Sequence, residues 1–373
     1  MSPDIGLDLQ FYDAEESQDN GPLAKVLLLG GLGPLSPSVL PQPDEEAAAL
    51  FAGHDLRGLG LLADAAFAQT PASGKTALDL CAKLGANVVS LAGMEGGALA
   101  QTRGMLGAID SVGAGEAEAE AFRPVVRNIG GIRLGILAFS ERRAERFDGR
   151  ANILHPMVYD RVRMLQAQCD HIIVFCHAGL PKANLPLPDW RARYRRFIDA
   201  GASIVAGMPP SGISGWEEYR NGLVFYGLGT LADDREDAGD RSLALQLALE
   251  RNGRFRYEVR MLERAGGTLR LCEREAEKKE INDINTLLLN ERAYLEQSNA
   301  LCRTVYETWE RETCANSAGS RRGLLGAFLP QTAEQRKRKE EARLQVLLEN
   351  ESLRMAVLCA LETRQNEKTE GRV

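Results

Sequence analysis

Short runs of β-branched and other apolar residues alternate with segments of helical periodicity over the first two thirds of the chain. The runs predict strands, the segments predict helices, and the connections are mostly short and rich in Gly or Pro. Strands are expected at 25–29, 88–91, 133–139, 171–176, 204–206 and 224–226, and helices at 77–84, 97–111, 159–168 and 190–200. Gly201 stands where a helix C-terminus favours glycine. The pattern predicts an α/β fold.

Two Asn-Gly pairs separate apolar runs in the second half of this region. Asn221-Gly222 and Asn252-Gly253 are typical of tight hairpin turns. Hairpins join antiparallel strands, so the sheets are expected to be mixed and not wholly parallel.

The pattern changes around Gly266-Gly267, where strand-like alternation gives way to a sequence rich in Glu, Lys, Arg and Leu. We therefore predict an acidic tail at 1–24, a main domain at 25–262 and a helical extension at 263–373. Two apolar stripes, at 287–309 and 344–361, predict helices that pack on the main domain or on each other. A dimerising coiled coil is the alternative, although neither stripe keeps a clean heptad.

Composition narrows the classes of function. The chain of 373 residues has a net charge of -7, which argues against a surface for nucleic-acid backbones. Its acidic N-terminus lacks the basic and apolar regions of a secretory signal, and no apolar run approaches the roughly 20 residues of a membrane span. Seven cysteines without paired spacing favour a reducing compartment. We expect a cytoplasmic protein.

Several stretches of the main domain follow a familiar order. They run through 84–92, 112–115, 123–126 and 131–139, then through 169–179, 197–207 and 226–229. In residue identity and spacing these stretches resemble the capsule-synthesis CapA family, over roughly residues 25–261. The resemblance implies a calcineurin-like metallophosphoesterase fold, in which two mixed sheets lie between helices in a four-layer α/β/β/α sandwich. It also implies a link to capsule or poly-γ-glutamate production.

Chemistry in that fold is expected to need two metal ions, which clamp a phosphoryl group and activate a bridging water. The resemblance places their ligands at strand ends, and this sequence departs from the family at most of these positions. Gly30-Gly31 replaces Gly-Asp, and Gly60-Leu61-Leu62 aligns with Asn-Leu-Glu. Ala92-Gly93-Met94-Glu95 replaces Ala-Asn-Asn-His, and the residues at 207–211 replace Gly-His-His-Pro-His.

Only His177 stands where the family places a ligand. We interpret these positions as a vestigial pocket and expect neither a metal nor another cofactor to be bound. The pocket positions are Gly30, Gly31, Gly93, Met94, Glu95, His177, Met208, Pro209, Ser211 and Thr230.

A rewired metal site is the alternative. Glu95 and His177, with His54 and Asp55, offer carboxylate and imidazole groups that suit Mn or Mg. Zinc is not expected at Cys169, His171, Cys176 and His177, because alternation along a strand turns Cys176 away from the other three.

Three functions follow from these observations. The first is a non-catalytic binding or regulatory subunit, whose residues 263–373 contact a protein partner or a second copy of the chain. The second is a diverged phosphoesterase or transferase built around His177 and Glu95. The third is an assembly scaffold held together by the helical extension.

Overall fold

The computed structural model describes most of the chain. The described ranges are 23–35, 40–62, 71–94, 96–141, 147–208, 212–235, 240–318 and 333–370. Within them, strands form two mixed sheets, and helices lie on the outer faces of both.

The first sheet is centred on β1, which pairs with β3 in parallel on one side and with β13 in antiparallel on the other. In the described ranges it has nine strands in the order β2-β15-β14-β13-β1-β3-β4-β5, with β12 beside the end of β1. The strands are β1 (Leu23–Leu32), β2 (Gln42–Pro43), β3 (Leu56–Leu61), β4 (Val88–Ser90), β5 (Asp110–Val112), β12 (Thr230–Ala232), β13 (Arg241–Glu250), β14 (Phe255–Ala265) and β15 (Thr268–Leu271).

The second sheet takes the middle of the chain. Its described strands run in the order β10-β11-β9-β8-β7-β6, with β11, β9, β8 and β7 mutually parallel. The strands are β6 (Val125–Ile129), β7 (Ile132–Ser140), β8 (His171–His177), β9 (Ile204–Gly207), β10 (Ile213–Tyr219) and β11 (Gly222–Leu228).

Helices precede, connect and follow these strands. They are α1 (Glu45–Ala52), α2 (Pro71–Lys83), α3 (Gly96–Met105), α4 (Glu118–Ala121), α5 (Val158–Gln166), α6 (Pro188–Asp199), α7 (Arg274–Leu289), α8 (Glu291–Ala318), α9 (Ala333–Glu349) and α10 (Glu351–Glu370). None of the described helices is long and apolar enough to span a bilayer.

Apolar side chains fill three layers of core. Residues such as Leu28, Ile136 and Phe175 pack between the two sheets. Leu80 of α2 lies in the core outside the first sheet, and Phe197 of α6 lies in the core outside the second. The predicted four-layer α/β/β/α sandwich is therefore confirmed.

The predicted hairpins and most predicted elements are confirmed. Tyr219 pairs with Gly222, so Arg220 and Asn221 form the first turn, and Gly253 has the positive φ of +81° in the second. Gly201, with a φ of +110°, follows the end of α6 as expected. The helix predicted at 97–111 was too long. It ends at Met105, and the chain enters β5 at Asp110 because that strand pairs with β4.

The C-terminal helices pack on the main domain. Ile281 of α7 is buried in the core between the sheets, whereas Tyr294 of α8 and Ala356 of α10 are buried in the core outside the second sheet. Of the predicted helix break at 316–330, residues 319–330 lie outside the described residues. The division into a domain and an extension stays a prediction, but the described helices complete two of the core layers.

Candidate functional site

The carboxyl ends of the parallel strands of both sheets meet at one edge of the sandwich, where ligands bind in many open α/β folds. His177 is the last residue of β8 and lies at this edge. Alternation along β8 directs Ile173 and Phe175 into the core between the sheets, and His177 follows the same face. Its side chain is buried, with 6% of the residue exposed.

The imidazole of His177 has one hydrogen-bond partner among the described residues. Its Nε2 lies 2.9 Å from the hydroxyl of Ser90, at the end of β4, and its Nδ1 is buried without a partner. The Ser90 hydroxyl also lies 3.4 Å from the backbone N–H of Ala92, which donates to it. An unpaired buried acceptor is less unfavourable than an unpaired buried donor. We therefore assign the proton to Nε2, which donates to Ser90, and leave Nδ1 as a bare lone pair.

Backbone and sulfur close the space around this ring. A Cβ added at Gly93 would lie 2.3 Å from His177 Nδ1 and 2.8 Å from the carbonyl oxygen of Leu61. A Cβ added at Gly60 would lie 2.8 Å from His177 Cε1 and 3.0 Å from the sulfur of Met208. Since real Cβ atoms do not approach so closely, the ring fits only because both positions are glycine.

The electrostatics of this environment keep the ring neutral. Burial lowers the pKa of His177 to about 3, and the positive charge of Arg150 lowers it further in the same direction. Arg150 is itself buried and is paired with Asp148. A neutral imidazole without an adjacent carboxylate does not serve as a general acid near neutral pH.

The predicted pocket positions on β1 and β12 also lie at this edge, but they are packed by other groups. Gly31 pairs with Thr230, and a Cβ at Gly31 would lie 2.4 Å from the Leu62 side chain. The backbone N–H of Gly30 donates to the Ser242 hydroxyl at 3.0 Å. The hydroxyl of Thr230 is buried and has no partner among the described residues.

The remaining pocket positions divide into buried and undescribed residues. Met94 is buried in the core outside the first sheet, whereas Met208 belongs to the core between the sheets. Glu95, Pro209 and Ser211 lie outside the described residues.

The structure contradicts the grouping of His54 and Asp55 with His177. Asp55 immediately precedes β3 and accepts a hydrogen bond from the backbone of Lys25, near the start of β1. Gly60, which contacts His177, lies five residues further along β3, about 16 Å at the usual rise per strand residue. His54 Nδ1 is bonded to the carbonyl oxygen of Leu50. Parallel pairing of β1 with β3 places this pair at the opposite edge of the sheet.

The cysteines and histidines of β8 do not converge either. Cys176 lies in the core outside the second sheet, whereas His171 bonds the carbonyl oxygen of Glu250 across the space between the sheets. His171 and His177 are the two ends of the strand. The predicted alternation is confirmed for His171, Cys176 and His177. It was wrong for Cys169, which precedes β8 and packs against the same outer core as Cys176.

The described residues do not fit a pair of metal ions. His177 Nε2 is engaged by Ser90, and Nδ1 faces the backbone at Gly93. Leu62 packs against Gly31, where the resemblance places a bridging carboxylate. Within the described ranges, no group of three or more His, Cys, Asp or Glu side chains is arranged to hold a metal ion.

Sequence reasoning missed two groups at this edge. Ser90 had a usable signal, since it is the polar residue that ends an apolar strand. The second group had no local signal because it joins distant parts of the chain: Ser352 of α10 donates to Glu141 after β7 and accepts from Trp190 Nε1 at 2.7 Å. Ser352 also accepts from the backbone N–H of Gly179 at 3.2 Å. Burial raises the pKa of Glu141 to about 7.

Comparison with known proteins finds a family whose sequences resemble part of this chain. Residues 77–235, which include Ser90, His177 and Thr230, match the family described as bacterial capsule synthesis protein PGA_cap. Over this region the chain is similar to CapA proteins. The resemblance in the sequence is thereby confirmed.

Two curated CapA proteins show the extent of the similarity. The chain is 26% identical to the capsule biosynthesis protein CapA of Bacillus anthracis over 156 residues, which are 39% of this chain and 38% of that protein. It is 28% identical to the PGA biosynthesis protein CapA of Bacillus subtilis (strain 168) over 163 residues, which are 40% of this chain and 42% of that protein. The chain therefore matches about two fifths of the length of each relative.

Solved structures with a similar arrangement include two proteins of named class. A putative 5'-nucleotidase from Staphylococcus aureus aligns with a TM-score of 0.44 at 10% identity, over 70% of this chain and 58% of its own. A phosphatase from Mycoplasma pneumoniae aligns with a TM-score of 0.41 at 12% identity, over 65% of this chain and 94% of its own.

Proposed function

We propose that this CapA-like chain serves capsule or poly-γ-glutamate production as a non-catalytic binding or regulatory subunit. The observation that supports the proposal is the packing around His177. The only family ligand position that keeps a ligand residue is enclosed by Gly60, Gly93 and Met208. The ring is held neutral there, and among the described residues it belongs to no group of three or more His, Cys, Asp or Glu side chains that could hold a metal ion.

The neighbouring positions support the same proposal in a second way. Lost ligands in a wet cleft could be replaced by water, which would leave room for an ion. Here the space near Gly31 is taken by Leu62, and Met208 is buried with 1% exposed. Apolar packing of this kind stabilises the fold through burial and offers no coordination.

The test is metal binding together with hydrolysis by the full chain. Metal content is measured on freshly purified protein, Mn²⁺ binding is measured by calorimetric titration, and turnover is measured with bis(p-nitrophenyl) phosphate in Mn²⁺ and in Mg²⁺. We expect no stoichiometric metal and no turnover above buffer. His177→Gln and His54→Gln are the matched variants, since only His177 lies at the carboxyl edge. Metal-dependent turnover that His177→Gln abolishes and His54→Gln preserves would overturn the proposal.

The partner surface is assigned to the helical extension, 263–373. Large apolar side chains are exposed on its last two helices: Leu344, Val346 and Leu348 on α9, and Leu358 and Leu361 on α10. Such a cluster is typical of surfaces that bind another protein or a second copy. Light scattering on the full chain and on a Leu344→Lys, Leu348→Lys variant tests self-association. A dimer that the variant dissociates supports assembly of copies, and a monomer in both excludes self-association through this surface.

A further inference from the structure

Two thiols meet where the helical extension packs on itself. Cys302 lies in the middle of α8 and is fully buried, and Cys359 lies in α10 and is half-buried. Cys359 packs against the buried cluster to which Cys302 belongs. The Cys359 thiol also lies 3.5 Å from the side-chain oxygen of Asn299, one turn before Cys302.

Small residues let the two helices approach each other around these thiols. Ser298 and Cys302 are spaced four apart on α8, and Ala356 and Ala360 are spaced four apart on α10. All four residues are buried. Residues four apart lie on one helix face, so each helix presents a shallow surface to the other. A disulfide requires its Cα atoms within about 7 Å, and small residues at a helix contact favour such a separation.

The two thiols differ in reactivity and access. Interaction with the Cys302 thiol lowers the pKa of Cys359 to about 7, and the same interaction raises the pKa of Cys302. Since the thiolate is the nucleophile, Cys359 is the thiol that an oxidant attacks. Cys302 is shielded from solvent but lies next to any product formed on Cys359.

We propose that Cys302 and Cys359 are a redox-modified pair, which a peroxide converts into an intramolecular disulfide. The Cys359 thiolate attacks a peroxide oxygen and breaks the O–O bond, which gives a sulfenic acid and releases one water after protonation. The Cys302 thiol then attacks the sulfenic sulfur and releases a second water. Two thiols are oxidised by two electrons, and one hydrogen peroxide is reduced to two waters.

The bond would fasten the middle of α10 to α8, seven residues along the helix from Ser352. Ser352 lies in the first turn of α10 and bonds Glu141 and Gly179 beside His177. Oxidation would therefore hold α10 in place over this edge, and reduction would leave its position to the side-chain contacts alone. This inference does not depend on whether the site hydrolyses a substrate.

The experiment uses the full reduced chain. The protein is treated with increasing hydrogen peroxide, remaining thiols are blocked with N-ethylmaleimide, and the tryptic peptides are analysed without reduction. We expect a linked pair of the peptides 293–303 and 355–364, with a loss of about 2 Da for the two hydrogens. Dithiothreitol should restore both free peptides.

Three variants make the result decisive. Cys359→Ser should abolish the linked pair, and Cys302→Ser should leave a sulfenic acid on Cys359 that dimedone traps. Cys272→Ser is the matched control, because Cys272 is also half-buried but lies on the other side of the sandwich, after β15. The proposal is overturned if the wild-type chain gives no linked pair while Cys272 is oxidised, or if the linkage forms only between two chains.

Discussion

The buried, neutral state of His177 predicts a specific loss of stability in mild acid. Its pKa is lowered from 6.5 to about 3 in the folded chain, mainly by burial. Below pH 6.5 His177 binds a proton in the unfolded chain, whereas in the folded chain it stays unprotonated until about pH 3. Stability from this group is therefore present above pH 6.5 and is lost as the pH falls through that window.

The magnitude follows from the linkage of protonation to folding. Each pH unit below the unfolded pKa removes about 1.4 kcal/mol of unfolding free energy, which amounts to about 2 kcal/mol near pH 5. In His177→Gln this contribution is absent, so the variant should lose less stability than the wild type between neutral pH and pH 5. Burial also lowers the pKa values of His54 and His171, but their contributions cancel in the difference between the two proteins.

Urea denaturation, followed by circular dichroism at a series of pH values, measures this difference. His155→Gln controls for replacing a histidine as such, because its ring is 33% exposed. The difference in unfolding free energy between wild type and His177→Gln should become smaller as the pH falls. This holds for any size of that difference at neutral pH. Parallel curves between pH 7 and about pH 5 would refute the assignment of a sealed, neutral imidazole.

Further substitutions test the packing and the contacts of the extension. Gly93→Ala should lower the unfolding free energy by about 1–3 kcal/mol in the same denaturation assay, because the added methyl group overpacks against His177. Gly104→Ala is the control: its methyl group meets open space on a helix, so the unfolding free energy should rise by up to about 1 kcal/mol. Ser352→Ala should shift the tryptophan fluorescence and destabilise the fold by about 1–3 kcal/mol, since it leaves the buried Trp190 N–H without its hydrogen-bond acceptor. An unchanged fluorescence spectrum and an unchanged denaturation midpoint would contradict a fixed position of α10. Glu217→Gln should destabilise by about 3–5 kcal/mol at neutral pH, because it leaves the buried Arg191 with only the exposed Glu291 as a charge partner. Although burial opposes it, hydrogen bonding from Arg195 and Arg191 lowers the pKa of Glu217 to about 2, so calorimetric scans should show the difference in stability shrinking as the pH falls from 4.5 toward 2.

The candidate site was only partly predictable. The sequence placed His177 at a strand end and gave glycines at positions 30, 31 and 93, which is where the structure has them. It also suggested a rewired group with His54 and Asp55, which the structure separates. That error arose because residue type alone shows which atoms could bind a metal, whereas the register of β1 with β3 decides at which edge they lie.

The extension shows the same limit over a longer range. Its apolar stripes predicted helices and allowed both packing and dimerisation. Side-chain placement shows that Ile281 and Ala356 are buried in cores of the main domain. The contact between Ser352 and Glu141 joins residues 211 positions apart, a separation that no local pattern encodes.

By itself the sequence determined the alternation of strands and helices, the mixed sheets, the hairpin turns and the resemblance to CapA proteins, because these depend on local periodicity, turn residues and the order of motifs. Only the tertiary structure decided that His177 is enclosed, that Leu62 packs on Gly31, and that α10 reaches the same edge. The physical reason is that enclosure depends on which distant side chains fill a volume. That filling is set when the two sheets and the C-terminal helices pack together, and not by the residues next to each group in the chain.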